Sequence, residues 1–230
     1  MPRTLAIGDI HGCYDALVAL EDHVGIKDDD TIVTLGDYVD RGPGTAEVLE
    51  WVMERHASGQ LIPLRGNHEI MMLAALDGEQ SLDSWLSVGG DAVLESYRRA
   101  GFSGQPEALP ESHLQFLRSS CLRYHEIETH FFVHATVYPE YELEDQPDFM
   151  LFWEKWMGMR RHMSGKIMVC GHTAQRSGWP AHDENSVCID TRAHGGGWLT
   201  CLDVATNEFW QANQQGETRS GWLDEIDMVL

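Results

Sequence analysis

The sequence Gly36-Asp37-Tyr38-Val39-Asp40-Arg41-Gly42 places two carboxylates and a guanidinium within five residues. It follows the apolar run 31–35 (TIVTL), which predicts a buried strand, and it precedes a helical pattern. In α/β proteins, binding and catalytic groups collect in the loops beyond the carboxyl ends of the strands. A core would not hold three such charges, because unpaired buried charge is costly. The stretch is therefore either a functional loop or a solvated turn with a surface ion pair.

Two other segments repeat the arrangement of a short apolar strand followed by glycine and an oxygen-bearing side chain. Residues 5–7 (LAI) lead into 8–12 (GDIHG), and residues 61–65 (LIPLR) lead into 66–69 (GNHE). The Gly-Asp or Gly-Asn pairs begin at positions 8, 36 and 66, about one βαβ unit apart each time. Three successive strands are thus predicted to present a metal-capable ligand at the same end of one sheet.

These blocks resemble those of the phosphoprotein phosphatase branch of the calcineurin-like metallophosphoesterases. Two further blocks of that family stand here as His134-Ala135 and Gly171-His172-Thr173, so the resemblance spans most of the chain. It implies an α/β fold, a metallophosphoesterase sandwich of two mixed β-sheets flanked by helices and built on a βαβαβ core. We expect one domain over residues 1–230.

The resemblance implies a centre of two divalent metal ions. The first ion would be held by Asp9, His11 and Asp37, and the second by Asp37, Asn67, His134 and His172. The residue types agree, because a carboxylate such as Asp37 can bridge two ions. Mixed imidazole and oxygen ligands suit Mn²⁺, the expected metal, or Fe or Zn, better than Ca²⁺. Two such ions about 3.5–4 Å apart lower the pKa of a shared water and clamp phosphoryl oxygens.

The resemblance also implies the catalytic roles. His68 would be the general acid that protonates the leaving group, and Asp40 would orient and charge it. Arg41 and Asn67 would bind the substrate phosphate, with the fork of the guanidinium contacting two oxygens. The alternative for Arg41 is a structural ion pair with Asp37 or Asp40.

The chain departs from the family pattern at three places. Val88 stands where bacterial and phage-type members usually carry Asn before two glycines. The second phosphate-binding cation is not assigned, and the candidates are Lys155, Arg160 and Arg161. Arg192 replaces the glycine of the family's Ile-Asp-Thr-Gly and is given no role.

Three functions stay open at this point. The first is a dimetal-dependent phosphomonoester hydrolase, a protein serine/threonine phosphatase that uses a metal-bridging water as nucleophile. The second is a hydrolase of dinucleoside polyphosphates, since symmetrical diadenosine tetraphosphatases share these blocks. The third is a catalytically silent metal-binding interaction protein, against which the intact His68–Asp40 pair argues. The bacterial-type pattern of Trp85, Gly89 and Gly90 and the short chain favour the first.

Composition limits the partners. The chain has 230 residues, and its 43% hydrophobic content predicts one compact domain with a sizeable core. Sixteen Lys and Arg against 37 Asp and Glu give a net charge of −21, which argues against nucleic acid or an anionic membrane as partner. A phosphoprotein or a small phosphoester is expected instead, and the oligomeric state is left open.

The cysteines and the start of the chain predict a location. The five cysteines form no C-x-x-C pair, which indicates buried thiols in a reducing compartment. The first strand follows residues 1–3 directly, which leaves no room for a signal peptide, and no apolar run approaches a membrane span of about 18 residues. We therefore expect a soluble cytoplasmic protein.

Hydrophobic periodicity predicts the remaining elements. Helices are expected over 14–24, 45–56, 70–76, 91–100 and 110–119, the last with Pro110 at its first position. A hairpin over 124–128 and 130–134 should contain His125 and His130 as packing or surface residues. A strand is expected over 166–170. Strands over 187–190, 198–203 and 208–211 are predicted to form a second sheet, and the tail from Gly216 is poorly patterned.

Overall fold

The computed structural model describes residues 2–228. The strands within this range are β1 (Thr4–Ile7), β2 (Thr31–Thr34), β3 (Leu61–Pro63), β4 (Tyr124–Glu126), β5 (His130–Val133), β6 (Ile167–Cys170), β7 (Ala181–His182), β8 (Ser186–Cys188), β9 (Leu199–Asp203), β10 (Glu208–Ala212) and β11 (Thr218–Trp222). The α-helices are α1 (Tyr14–Val24), α2 (Thr45–Ala57), α3 (Asn67–Leu76), α4 (Leu82–Trp85), α5 (Asp91–Arg99), α6 (Glu111–Ser119) and α7 (Asp148–Phe152). A π-helical turn, Leu86–Gly90, joins α4 to α5, and short 3-10 turns include Ala193–Gly195.

The strands form two mixed sheets. The first has the order β11-β10-β9-β1-β2-β3, in which β1, β2 and β3 are parallel and β9, β10 and β11 run antiparallel. The second has the order β4-β5-β6-β8-β7, in which β5, β6 and β8 are parallel. Each sheet therefore has three parallel strands that end at the same edge, and the loops that follow these six strands lie in one region.

The alternation of side chains along the strands builds three apolar layers. Leu5 and Ile7 face helices α1 and α2 on the outer side of the first sheet. Ala6, between them in sequence, packs in a layer with Phe132 and Val169 of the second sheet. On the far side of that sheet, side chains such as Phe131 pack against α7. The two sheets are thus sandwiched face to face and flanked by helices, as the sequence predicted.

The structure corrects the expected roles of the last third of the chain. The segments 198–203 and 208–211 contain strands, but β9 and β10 join the first sheet, because Leu5 to Ile7 pair with Cys201 to Asp203. The tail from Gly216 is not unstructured, since β11 pairs along the whole of β10 as the edge of that sheet. Of these three predicted strands, only the segment 187–190 contributes a strand, β8, to the second sheet.

Two helix starts also differ from expectation. Pro110 lies before α6 rather than at its first position. Helix α3 begins at Asn67, three residues earlier than predicted, so the GNHE block forms its first turn. The backbone N–H groups of a helix start favour a carboxylate, and Glu69 accepts from Gly66 N at 2.7 Å.

Within the described residues no helix is long and apolar enough to cross a membrane. The expected domain, 1–230, includes residues 1, 229 and 230, which lie outside the described part of the chain.

Candidate dimetal active site

The three glycine-containing loops meet beyond the carboxyl ends of β1, β2 and β3. The backbone N–H groups of Ile10 and His11 donate to the carbonyl of Asp37 at 3.1 and 2.7 Å, which joins the first two loops. Gly36 has a φ of 95°, and a Cβ there would lie 2.4 Å from the nitrogen of Gly66 in the third loop. The glycine thus lets the second and third loops approach this closely. His134 and His172 enter the same region after β5 and β6.

Asp37 lies between two imidazoles. Its Oδ2 is 3.4 Å from His11 Nε2, and its Oδ1 is 3.5 Å from His134 Nε2, so each oxygen faces a different ring. All three side chains are buried. Burial opposes ionisation of Asp37, but His134, His68 and His11 together hold its pKa below the usual range. A buried carboxylate with one oxygen on either side has the geometry needed to bridge two cations.

The two flanking rings are oriented for metal binding. His11 Nδ1 lies 2.9 Å from the carbonyl of Val39, and His134 Nδ1 lies 2.9 Å from the carbonyl of Leu35. A carbonyl accepts only, so each Nδ1 carries the proton and donates it. Each Nε2 therefore keeps its lone pair, and both Nε2 atoms lie within 3.5 Å of an oxygen of Asp37. This arrangement fixes the tautomer that a metal requires.

Asn67 and His172 extend the donor set on one side. The Asn67 Oδ1 lies 2.9 Å from His134 Nε2 and 3.0 Å from His172 Nδ1. His172 Nε2 donates to the carbonyl of Trp153 at 3.0 Å, which leaves the lone pair on Nδ1. Burial lowers the pKa of His172 to about 4, so the ring is neutral. Three acceptor atoms this close together suit the surroundings of a single cation.

Asp9 adds further buried negative charge. Its carboxylate accepts from the backbone N–H of His172 at 3.0 Å. Burial, followed by the charges of Asp190 and Asp37, raises the pKa of Asp9 well above its usual value. Burial likewise raises the pKa of Asp190 to about 6. Divalent cations would neutralise this concentration of buried carboxyls, and the residues present fit such ions.

The donors divide into two groups that share Asp37. One group contains His11, Asp37 and His68, and the other contains Asp9, Asp37 and His134; within each, the ligand atoms lie within 4.8 Å of one another. The six expected ligands are brought together, but Asp9 lies on the His134 side instead of grouping with His11. The ion that each ligand holds stays a prediction.

His68 and Asp40 form a buried pair beside the donors. His68 Nδ1 lies 2.5 Å from Asp40 Oδ2, and both side chains are almost completely buried. Burial alone would lower the pKa of His68, but Asp37 and Asp40 raise it above the usual value. The imidazole therefore holds its proton beyond the pH at which a free histidine loses it. This is the property that a general acid near neutral pH needs.

Trp85 completes this arrangement, a contact that the sequence pattern did not reveal. Its Nε1 donates to the second oxygen of Asp40 at 2.8 Å, and its ring is fully buried. A Cβ on Gly90 would lie 2.4 Å from the Trp85 ring, so this glycine leaves room for the indole. A buried indole N–H almost always finds an acceptor, which is the signal that could have indicated the contact.

Replacing Trp85 with Phe should remove the hydrogen bond to Asp40 and also leave a cavity where the larger indole is buried, so the loss of activity is compared with that of a second buried tryptophan. Loss of a hydrogen bond to a charged group costs about 1.5–3 kcal/mol, so hydrolysis of phenyl phosphate should slow on the order of 10-fold or more. Hydrolysis of p-nitrophenyl phosphate should slow less, because its leaving group needs less protonation. Trp51→Phe is the matched control. Trp51 lies on α2, and its Nε1 likewise donates to a carboxylate, that of Glu21 on α1, at 2.8 Å. Equal losses in both variants would contradict a specific role for Trp85.

Glu69 is a second residue whose role depends on long-range contacts. Its buried carboxylate accepts from the backbone N–H groups of Asp37 at 2.9 Å, Tyr38 at 2.8 Å and Gly66 at 2.7 Å. Burial, followed by the charge of Asp37, raises its pKa to about 7. Glu69 thereby joins the second and third loops and fixes the backbone on which Asp37 sits.

Arg41 is exposed at the edge of the site. Its backbone N–H donates to the carbonyl of Gly89 in the π-helical turn at 3.0 Å. Its Nη1 lies 2.8 Å from His11 Nε2 and 3.5 Å from His194 Nε2. The alternative of an ion pair with Asp37 or Asp40 is wrong, because neither carboxylate lies within 4.0 Å of the guanidinium. Neither carboxylate therefore neutralises the charge of Arg41, which suits the guanidinium to bind phosphate oxygens once it releases His11.

The other cationic residues and histidines considered in the sequence contact residues outside the donor groups. Arg160 approaches Glu140 at 3.8 Å, and Arg161 lines a surface depression with Pro139 and Met163. None of the described contacts places Lys155, Arg160 or Arg161 at the metal ligands. His125 stacks on Phe132, and His130 is buried beside Thr129, as packing residues.

Comparisons with known proteins agree with this geometry. The symmetrical bis(5'-nucleosyl)-tetraphosphatase of Salmonella paratyphi A is 45% identical over 76 residues, which are 33% of this chain and 26% of the relative. The match thus spans about a quarter of that relative's length. A candidate diadenosine tetraphosphatase of known structure is similar with a TM-score of 0.66 and 21% identity over 97% of both chains. A cold-active protein-tyrosine phosphatase of a Shewanella species gives a TM-score of 0.64 and 19% identity, over 96% of this chain and 80% of the other.

The two structural similarities confirm the fold alone, since both lie below 25% identity. A family model covers much more of the sequence. The model of the calcineurin-like phosphoesterases matches residues 2–199, which include all the loops described above. The resemblance seen in the sequence is therefore confirmed, and the chain belongs to the calcineurin-like phosphoesterase family.

Proposed function

We propose that this metal-dependent phosphoesterase hydrolyses symmetrical dinucleoside polyphosphates, cleaving diadenosine tetraphosphate and one water into two ADP. The sequence pattern favoured a protein serine/threonine phosphatase, and that reading is not confirmed. The 45% identity to symmetrical tetraphosphatases over 76 residues supports the alternative. The fold, shared with a candidate diadenosine tetraphosphatase over nearly the whole chain, is compatible with it.

The observation that carries the hydrolytic activity is the position of Asp37 between two sets of donors. When bound, two divalent ions would supply a water of lowered pKa and positive charge for the phosphoryl oxygens. Asp9, His11, Asp37, Asn67, His134 and His172 would hold them, with Mn²⁺ as the proposed metal, since imidazole and oxygen donors are mixed.

The remaining roles belong to side chains beside these ligands. Arg41 and Asn67 would bind oxygens of the phosphate under attack. His68, held at 2.5 Å by Asp40, would give its proton to the oxygen of the departing ADP. The buried His68–Asp40 pair beside the donors supports hydrolysis over a silent metal-binding protein.

Composition and cysteine chemistry support the proposed partners and location. The net charge of −21 disfavours nucleic acid and anionic membranes, so we propose a small phosphoester as the substrate. The five cysteines are all free and buried. Free thiols are typical of reducing compartments, which supports a cytoplasmic location.

The test is a comparison of kcat/KM for the Mn²⁺-loaded protein on diadenosine tetraphosphate, phosphoserine and phosphotyrosine peptides, and p-nitrophenyl phosphate. We expect the highest value for diadenosine tetraphosphate, with ADP as the sole nucleotide product. The Asp37→Asn variant, purified identically, controls for contaminating phosphatases. A higher value for any phosphopeptide would overturn the substrate assignment, and turnover of none of the four would favour the silent reading.

A further inference from the structure

One edge of the site carries positive charge that the proposed mechanism leaves unused. The 3-10 turn Ala193–Gly195, between β8 and β9, brings His194 against the metal-binding loops. The ring of His194 lies 4.7 Å from that of His11, nearly perpendicular to it. Its Nε2 lies 3.5 Å from Nη1 of Arg41. The turn therefore lies directly beside the guanidinium of Arg41, which is proposed to bind phosphate.

Arg192 precedes this turn in a conformation that arginine rarely adopts. Its φ of 66° and ψ of 46° lie in the left-handed region, which is unfavourable for a residue other than glycine. Its side chain lies over Gly195, where a Cβ would come within 2.8 Å of the Arg192 Cζ. Its backbone is held there by hydrogen bonds, because its N–H donates to Asp190 Oδ1 at 2.9 Å and its carbonyl accepts from Gly195 and Gly197. An exposed arginine therefore stands where the family pattern has glycine.

The charge of this arginine is not used elsewhere. Within the described residues, the arginines that pair with a carboxylate within 4.0 Å are Arg3, Arg55, Arg98, Arg118, Arg123 and Arg160. Neither Arg41 nor Arg192 is among them, although acidic residues outnumber basic ones by more than two to one. Two unpaired guanidiniums beside an active site attract a polyanion.

The turn links the two guanidiniums. Nε2 of His194 lies 3.5 Å from Nη1 of Arg41, and the side chain of Arg192 lies over Gly195, the residue after His194. Both guanidiniums therefore lie along this turn, at one edge of the site.

We propose that Arg192, together with Arg41 across His194, forms a second phosphate subsite that binds the phosphate next to the one under attack. The ligand it takes is a diphosphate or longer polyphosphate chain, whereas a phosphomonoester would leave it empty. The inference rests on the proposed function, which it deepens, because the departing group of a dinucleoside tetraphosphate is ADP.

Isothermal titration of the Mn²⁺-loaded protein with ADP and with AMP, at fixed free Mn²⁺, tests the subsite without turnover. A charge-assisted hydrogen bond is worth about 1.5–3 kcal/mol, so Arg192→Gly should weaken ADP binding on the order of 10-fold or more. AMP binding should change much less. Arg192→Lys should keep part of the preference for ADP. Glycine adopts a φ of 66° without strain, so Arg192→Gly should fold.

Arg98→Gln is the charge-matched control, because Arg98 is exposed on α5 and pairs with Glu95. It should leave both affinities within about twofold, as a distant surface charge does at physiological salt. Three results would each overturn the subsite. Arg192→Gly could weaken ADP and AMP binding equally, it could leave ADP binding unchanged, or Arg98→Gln could weaken ADP binding as much as Arg192→Gly does. The outcome is separate from the proposed function: a protein that prefers ADP through Arg192 but does not hydrolyse diadenosine tetraphosphate would keep the subsite and lose that substrate.

Discussion

Replacing Asp37 with Asn should abolish hydrolysis of every substrate and reduce metal binding on both sides of the site. Each oxygen of this carboxylate faces a different imidazole, at 3.4 and 3.5 Å, so one substitution weakens both donor groups. Metal ions stabilise transition-state charge by several kcal/mol, so activity should fall at least about 10³-fold. Elemental analysis after gel filtration, together with kcat/KM on p-nitrophenyl phosphate, provides the measurement.

A buried carboxylate away from the site supplies the control for this variant. Asp203 is buried on β9, where its Oδ1 accepts from the backbone N–H of Ala205 at 2.9 Å. Asp203→Asn should keep its metal content and most of its activity. The thermal midpoint of the native protein should rise with added Mn²⁺, because ligands that bind only the folded state stabilise it. The thermal midpoint of Asp37→Asn should rise much less with added Mn²⁺. An equal rise in the native protein and in Asp37→Asn would contradict the role of Asp37 as a shared ligand.

The second large effect is expected for His68→Asn. Its ring would no longer supply a proton, while both metal groups should stay filled, because the expected ligand is the neighbouring Asn67. General acids contribute about 10²–10⁴-fold, so hydrolysis of phosphoserine and phenyl phosphate should slow by this factor. Their leaving groups are strongly basic and need the proton. The p-nitrophenolate and ADP groups are weakly basic, so those substrates should slow far less.

Asp40→Asn should show the same dependence on leaving group, more mildly, because it weakens the acid at 2.5 Å without removing it. The measurement is kcat for phenyl and p-nitrophenyl phosphate, accompanied by metal content. Equal slowing of both esters by His68→Asn would assign His68 to another role. Loss of an ion would make it a metal ligand, which its place in a donor group with His11 and Asp37 would then explain.

The parts of the site that follow parallel strands could be predicted from the sequence. Each strand of the first βαβαβ unit ends in a glycine and a polar side chain, and parallel strands share the edge at which they end. Asp9, Asp37 and Asn67 consequently meet as expected. Their local sequence determines their position, because each ligand follows the end of its strand closely: Asp9 follows Ile7, Asp37 follows Thr34 and Asn67 follows Pro63 by two to four residues.

The contacts that join distant segments could not be predicted in this way. Trp85 reaches Asp40 across 45 positions, and His194 reaches Arg41 across 153. Residue spacing carries no information about such approaches. The same limit explains the error over β9 and β10, because alternation predicts a strand but not the sheet that it joins. The strand β11 was missed since its edge position leaves much of it exposed.

Electron paramagnetic resonance of the protein loaded with two equivalents of Mn²⁺ tests whether Asp37 is shared by two metal ions. Two ions joined by a carboxylate lie about 3.5–4 Å apart, close enough for their spins to couple. The native protein should give a spin-coupled signal, and Asp37→Asn should give the spectrum of isolated ions or of free metal instead. A native spectrum of two uncoupled Mn²⁺ ions, or binding of only one ion at saturation, would contradict it.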